Sequence, residues 1–312
     1  MWDVSQMPGI EVEFEVEEDD AGYRLDVFLA RRASGLSRAR AKRMIEEGGV
    51  LVDGRRVRKS YVLAQGNRIT LESLAPRVDF HARPDPDVPI VIVRETDRYV
   101  LVEKPAGVPS HPLEEDELGT MAGALVARYP EMRGVGYSNR EPGLLHRLDT
   151  HTSGLMLAAR NREAFDALRQ QLRSGEIEKR YLARCQGVVD APIVIETAIA
   201  NDPRDRRKVR TCTDPREIKR LGAQAARTEV LSSIPAAMGS LLELRANNAR
   251  RHQIRVHLAS IGHPLLGDTL YGGPTLDEPA HHLLHASAIK LGAETMVTSL
   301  WKYASSDPLP AS

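Results

Sequence analysis

An α+β fold is the architecture this sequence predicts: a mixed, mainly antiparallel sheet with flanking helices, preceded by a small α/β N-terminal domain. Three observations lead to it. Strand-like runs come in hairpin pairs, as in IVIV and YVLVEK on either side of Glu95-Thr96-Asp97. Helical periodicities fall between these pairs. A proline-rich stretch, residues 76–89, separates a short N-terminal unit from the rest and reads as a semi-extended linker.

In the N-terminal unit, residues 21–75, Leu25, Phe28 and Leu29 fall at helical spacing, with Gly35 after them. Ser37 is placed to cap a second helix, SRARAKRMIEEGG, whose Ala41, Met44 and Ile45 face inward and whose Gly48 and Gly49 stop it. VLVDGRRV is a strand, an Asp53-Gly54 turn and the start of another strand, and NRITLE is a further one. The whole chain of 312 residues has zero net charge, but the charge is unevenly spread. The acidic segment 1–20 carries eight Asp/Glu and no Lys or Arg, whereas residues 21–75 carry twelve Lys/Arg against five Asp/Glu. Such asymmetry points to a polyanionic partner. Arg38, Arg40, Lys42 and Arg43 lie on or beside the second helix, and Arg55 and Arg56 follow the turn. No acid interleaves until Glu46, so these residues are expected at nucleic-acid phosphates rather than on a merely solvated face.

The second domain is expected over residues 90–302, with a polar tail at 303–312. KPAGVPSHP is a turn-rich loop, TMAGALVARY a short helix, and NREAFDALRQQLRSG a longer one capped by Asn161 and stopped by Gly175. EKRYLARCQGVV alternates as a strand does, and LLELRAN is another strand. Between them, residues 203–220 read as a loop with eight Lys/Arg against three Asp/Glu. Its Arg206, Arg207 and Lys208 are expected to meet phosphates beside the cleft of this domain. RRHQIRVHLASIGHP is a helix with Ile254, Leu258 and Ile261 on one face.

Several function classes are excluded. No apolar run is long enough to cross a membrane, and the N-terminus lacks the pattern of a secretory signal. Two distant cysteines, Cys185 and Cys212, suit a reduced cytosol better than a disulfide framework. His252 and His257 are five apart, which does not place two metal ligands on one helix face. HHLLH at 281–285 has no cysteine or carboxylate partner at standard spacing, so no metal site is expected.

The segment GLLHRLDTHTSGLMLAAR, residues 143–160, carries the main candidate for chemistry. Its apolar runs are too continuous for half-exposed strands, so the polar loop opening at Asp149 is held between buried flanks. Asp-Thr-x-Thr-Ser-Gly is also good turn sequence, and spacing alone favours that reading. An aspartic protease needs two carboxylates sharing a proton, and only one such motif exists.

Wider context changes the balance. RLDVFLARR, LSRARAKRMIEEGGVLVDGRRV and GNRITLE together resemble an S4-like RNA-binding domain. HRLDTHTSGLMLAA resembles the signature of the RluA-type RNA pseudouridine synthases. Four more segments are similar to that family in the same order: RYVLVEKPAGVPSHP after Asp97, EKRYLARCQG, RRHQIRVHLASIGHPLLGDTLYG and LLHASAIKL. The resemblance spans residues 90–291. It departs at Ala249, where the family has glycine, and after Leu291, where GAETMVTSLWKYASSDP replaces an aromatic and a His-Pro pair.

The resemblance implies that Asp149 is the catalytic aspartate, acting on a uridine nucleotide while the base detaches, turns and rejoins through carbon. It implies that Tyr181 stacks on the flipped base and helps to remove a proton from it, and that Arg255 pairs with the aspartate. Arg147, preceded by His146, would reach the RNA where a nucleotide is extruded. No cofactor is needed, because a carboxylate serves as nucleophile or proton acceptor by itself. The expected partner is large-subunit ribosomal RNA, free or in a pre-ribosomal particle, met by a cytoplasmic monomer. The competing expectations are a non-catalytic RNA-binding assembly factor on the same fold and a metal-dependent nuclease. Aspartate, tyrosine and arginine are all present, against the first; clustered carboxylates are not found, against the second.

Overall fold

The computed structural model describes residues 12–33, 36, 38–71, 80–298, 301 and 303–304, excluding the side chains of residues 39, 40 and 43. The chain forms two compact units, residues 1–78 with 198–225 and residues 79–197 with 226–312.

The first unit opens with β1 (Val12–Glu15), α1 (Leu25–Arg32), α2 (Arg38–Glu47), β2 (Val50–Val52), β3 (Arg55–Arg56) and β4 (Arg68–Leu71). Its antiparallel sheet runs β1-β4-β2-β3. Leu25, Phe28 and Leu29 of α1 and Ala41, Met44 and Ile45 of α2 bury in one core with Val50, Val52, Ile69 and Leu71. Asp53 and Gly54 have φ of 49° and 74°, the pair of positive values that a tight two-residue hairpin uses. Residues 12–16 are more than an acidic leader: β1 pairs with β4, and Val16 joins the core.

The second unit contains β5 (Val91–Glu95), β6 (Tyr99–Lys104), α3 (Met121–Arg128), β7 (Ser153–Ala159), α4 (Arg162–Ser174), β8 (Ile177–Gln186) and β9 (Ile193–Glu196). The chain then leaves for β10 (Ala198–Asn201), β11 (Val209–Cys212) and α5 (Pro215–Leu221), which belong to the first unit. It returns as β12 (Arg227–Ala236), β13 (Gly239–Arg245), α6 (Gln253–Ser260), β14 (Leu284–Leu291) and β15 (Glu294–Val297). The nine-stranded sheet runs β5-β6-β7-β14-β8-β13-β12-β9, with β15 on β14, and every pair but β7–β14 is antiparallel. The α+β expectation therefore holds. Thr120 and Asn161 cap α3 and α4 through Gly123 N–H and Ala164 N–H, and Gly175 closes α4 at φ 82°.

Helices cover both faces of the central strands. Met121, Ala122 and Leu125 of α3 pack with Val100, Val102, Met156 and Ala158. Phe165, Leu168 and Leu172 of α4 pack on the opposite face with Leu101, Leu155 and Leu157. A strand buried on both sides has no polar face to keep, hence the unbroken apolar run of β7.

Two expectations are corrected. Residues 203–220 are not simply a loop of the second domain; they include β11 and α5 and pack into the first unit. Asp214 caps α5 by accepting from Arg216 N–H, and Gly222 ends it at φ 60°, local signals hidden among the charges. At the other end, Tyr303 does not behave as part of a polar tail. It is buried with Leu266, Leu276 and Leu283, while Trp301 stacks on His285 with ring centroids 5.5 Å apart.

The short parallel junction pairs Ser153 and Gly154 of β7 with His285 and Ala286 of β14. Gly154 has φ 110°, and a Cβ there would lie 2.2 Å from the Ala286 carbonyl oxygen. Gly154→Val is expected to cost about 3 kcal/mol or more. Gly292→Ala, also left-handed but in open space, should cost only about 1 kcal/mol. Thermal or urea melts of both variants check the contrast.

Candidate active site

Asp149 lies in the loop just before β7, and the residues on either side of it are pinned. Ser110 Oγ donates to the Leu148 carbonyl at 2.7 Å and accepts from Leu148 N–H at 3.1 Å. Lys104 Nζ donates to the carbonyls of Thr150, Pro105 and Val108 at 2.8, 2.8 and 2.7 Å. Gly107 N–H reaches the same Thr150 oxygen at 2.9 Å. Burial pushes the Lys104 amine down to about 7, while the Asp149 charge acts in the opposite direction. Three carbonyl acceptors match the three donors of an ammonium, and we read this lysine as charged. The KPAGVPSHP segment is thus the brace of the candidate loop.

The Asp149 side chain is about one-fifth exposed and accepts from Arg255 Nη1 at 3.1 Å. The other edge of that guanidinium is fixed: Nε and Nη2 donate to Asp268 Oδ2 and Oδ1 at 2.7 and 2.8 Å. Burial works against the Arg255 charge, but the Asp268 hydrogen bonds and the charges of Asp268 and Asp149 outweigh it and raise its pKa. Tyr271 lies below, its ring centroid 5.1 Å from the guanidinium carbon, and its hydroxyl shares a 2.9 Å hydrogen bond with His252 Nδ1. His252 Nε2 comes within 3.9 Å of Asp149 Oδ2. His252 adopts φ 54°, so the helix begins at Gln253 and the imidazole turns back to the site. Ala249 is not among the left-handed residues, so its replacement of glycine costs nothing there.

Tyr181 stands on β8 between Leu244 of β13 and Ala286 of β14, almost wholly buried. Burial first, and then the Asp149 charge, raise its pKa. A phenol held so is protonated at neutral pH, which suits a ring that stacks; to accept a proton it must first lose its own.

The expected nucleic-acid contacts divide. Arg147 is half exposed, with Nη1 3.3 Å from Glu141 Oε1 and 3.4 Å from His111 Nε2. His146 is not offered to a ligand. Its Nε2 accepts from Leu157 N–H at 3.1 Å, and burial, then the nearby Lys179 charge, hold its pKa well below the ordinary value. Arg38 is also engaged internally, as Nε donates to the buried Asp26 at 3.0 Å and Nη1 to the Leu221 carbonyl at 2.8 Å. Lys42 Nζ is 4.0 Å from the same carboxylate. Arg55, Arg56, Arg206 and Arg207 are exposed and Lys208 is half-buried. Arg207 donates to both Asp205 oxygens, at 3.1 and 2.8 Å. The Arg40 and Arg43 side chains lie outside the described residues.

Sequence reasoning missed Asp268, Tyr271, His252, Lys104 and Ser110 as parts of the site. The first two stood in the quoted GDTLYG segment, but no periodicity connects that loop to Asp149.

Residues 98–260 match the model of the RNA pseudouridylate synthase family, and residues 24–69 match the S4 domain. The chain belongs to the RNA pseudouridylate synthase family. It is of the RluA type with an N-terminal S4 domain. An RNA pseudouridine synthase of Aquifex aeolicus is 37% identical over 84% of this chain and 80% of the relative. A ribosomal large subunit pseudouridine synthase D of Xanthomonas campestris is 33% identical over 83% of this chain and 74% of its own. The solved human RNA Pseudouridylate Synthase Domain Containing 1 shares the fold, with TM-score 0.52 and 23% identity over 69% of this chain and 84% of that one.

Two predictions follow from this geometry. In this pseudouridine synthase, Asp268→Asn loses one charged acceptor and presents an amide N–H₂ to the guanidinium. It should slow single-turnover pseudouridine formation by about tenfold to a hundredfold while RNA affinity stays within a few-fold. Burial also lowers His252 and His285 to about 4 and His282 to about 3. Below an unfolded value near 6.5 the unfolded chain binds protons that the folded chain refuses. The stability present above that value is therefore lost as pH falls towards 4, and melting temperatures between pH 7.5 and 4.5 should decline accordingly.

Proposed function

We propose that this chain isomerises specific uridines of large-subunit ribosomal RNA to pseudouridine, with Asp149 as the group that acts on the nucleotide. The observation that carries the reading is Asp149 held 3.1 Å from an Arg255 whose other edge is locked by Asp268. A cation so fixed favours the ionised, correctly turned carboxylate, the form needed in a nucleophile or proton acceptor. The buried Tyr181 ring, within electrostatic reach of Asp149, is the surface on which the displaced base stacks. Arg147, planar and half exposed near the same loop, takes the place of the extruded nucleotide.

The large-subunit assignment is supported by relatives named ribosomal large subunit pseudouridine synthase D, 33% to 35% identical over most of this chain. Arg55 and Arg56 in the S4 domain, with Arg206, Arg207 and Lys208, supply phosphate contacts that place the RNA. The protein acts as a cytoplasmic monomer, on RNA free or within a pre-ribosomal particle.

Asp149→Asn is expected to abolish pseudouridine formation while RNA binding stays within a few-fold. Site-by-site mapping of large-subunit RNA from cells with and without the gene identifies the uridines. Full turnover by the Asn variant would remove Asp149 from the chemistry, and growth rescue by Asp149→Ala would favour a non-catalytic assembly role.

A further inference from the structure

The segment 198–225 springs from β9 and returns into β12, strands of the second unit, yet it packs into the first. Contacts among the described residues contribute to that packing. Arg38 on α2 bridges Asp26 and the Leu221 carbonyl, at 3.0 and 2.8 Å. Lys219 Nζ lies 5.4 Å from the centre of the Tyr23 ring. Gly222 at the end of α5 sits so close to α1 that a Cβ would come within 2.8 Å of Val27 Cγ1.

Cations from both segments then converge at the C-terminal end of α2. Lys59 pairs with Glu46, and the Arg56 guanidinium lies against Gly48. Lys42 and, from the 198–225 segment, Arg206 are within electrostatic reach of Glu46. Lys42 is shared with the buried Asp26, 4.0 Å away, whereas Arg56 and Arg206 are exposed. Arg38 itself is poorly suited to grip a phosphate, since two of its three nitrogens are already committed inside the unit.

We propose that the helical face of the S4 domain and the 198–225 segment form one phosphate-binding body for structured RNA, aligned by Arg38 as an internal clasp. Cations held in fixed relation meet successive phosphates without the ordering cost that two independent arms would bear. This rests on the reading of the chain as an enzyme acting on large-subunit RNA.

The test uses the full chain and a large-subunit RNA fragment that the wild type modifies. Arg38→Lys keeps the charge but loses the two-sided geometry. Gly222→Val removes no charge and pushes α5 away from Val27. Each is expected to weaken RNA binding by about tenfold, with the single-turnover rate at saturating RNA nearly unchanged. Amide exchange in residues 215–221 should rise in both. Wild-type affinity in Gly222→Val, or weaker binding with no faster exchange in 215–221, would overturn the clasp. If Arg38 only touched phosphate, Arg38→Lys would bind nearly as the wild type does, which also overturns it. A wild type that modifies no large-subunit RNA sinks the functional reading instead. The exchange and RNA-binding measurements on the variants would still decide the clasp.

Discussion

The second unit is organised around one guanidinium shared by two carboxylates. Arg255 spends Nε and Nη2 on Asp268 and has Nη1 left for Asp149. Each member needs the others. A buried arginine without acceptors costs several kcal/mol, and a lone buried Asp268 costs as much. With both carboxylates present the cluster carries one net negative charge, shared unequally. Asp268 is almost wholly covered, whereas Asp149 keeps about a fifth of its side chain open to a ligand. The buried carboxylate thus does the orienting, and the partly exposed one keeps an edge open.

The backbone around this cluster is as constrained as its side chains. Leu148 and Thr150 are held from one side by Ser110, Lys104 and Gly107, so Asp149 has little freedom in φ and ψ. On the other side, Thr152 shares a 2.9 Å hydrogen bond with His282, and Ser153 shares one of 2.8 Å with His285. Loops from three distant parts of the chain meet here because β6, β7 and β14 lie side by side in the sheet. Burial keeps the histidines of this shell neutral near pH 7, so they serve as hydrogen-bonding wedges and add no positive charge beside the aspartate.

In the first unit the same economy appears around Asp26. A fully buried carboxylate accepts from Arg24 and Arg38, and Lys42 stands 4.0 Å away. Residues that a charge pattern assigns to a ligand are partly committed to holding α1, α2 and the 198–225 segment together. A basic run cannot reveal this, because the acid that claims it lies twelve residues earlier on another helix.

Much of the molecule was legible in the sequence. Periodicity determines α1 to α4, Asn161 and Gly175 bound α4, and turn residues mark the Asp53-Gly54 hairpin and the β5–β6 pair, since these depend on neighbours a few residues apart; Ser37, the expected cap of α2, lies outside the described residues. The ordered motifs made Asp149, Tyr181 and Arg255 candidates, and the structure brings those three side chains to one site. Tertiary structure alone decided the rest. Asp268 and Lys104 act through contacts 13 and 46 residues away in the chain, His146 is turned inward onto Leu157, and residues 198–225 join a unit to which they are not adjacent. Local sequence specifies which backbone shapes are cheap. Which polar group meets which is settled only when burial removes water and each donor must find an acceptor.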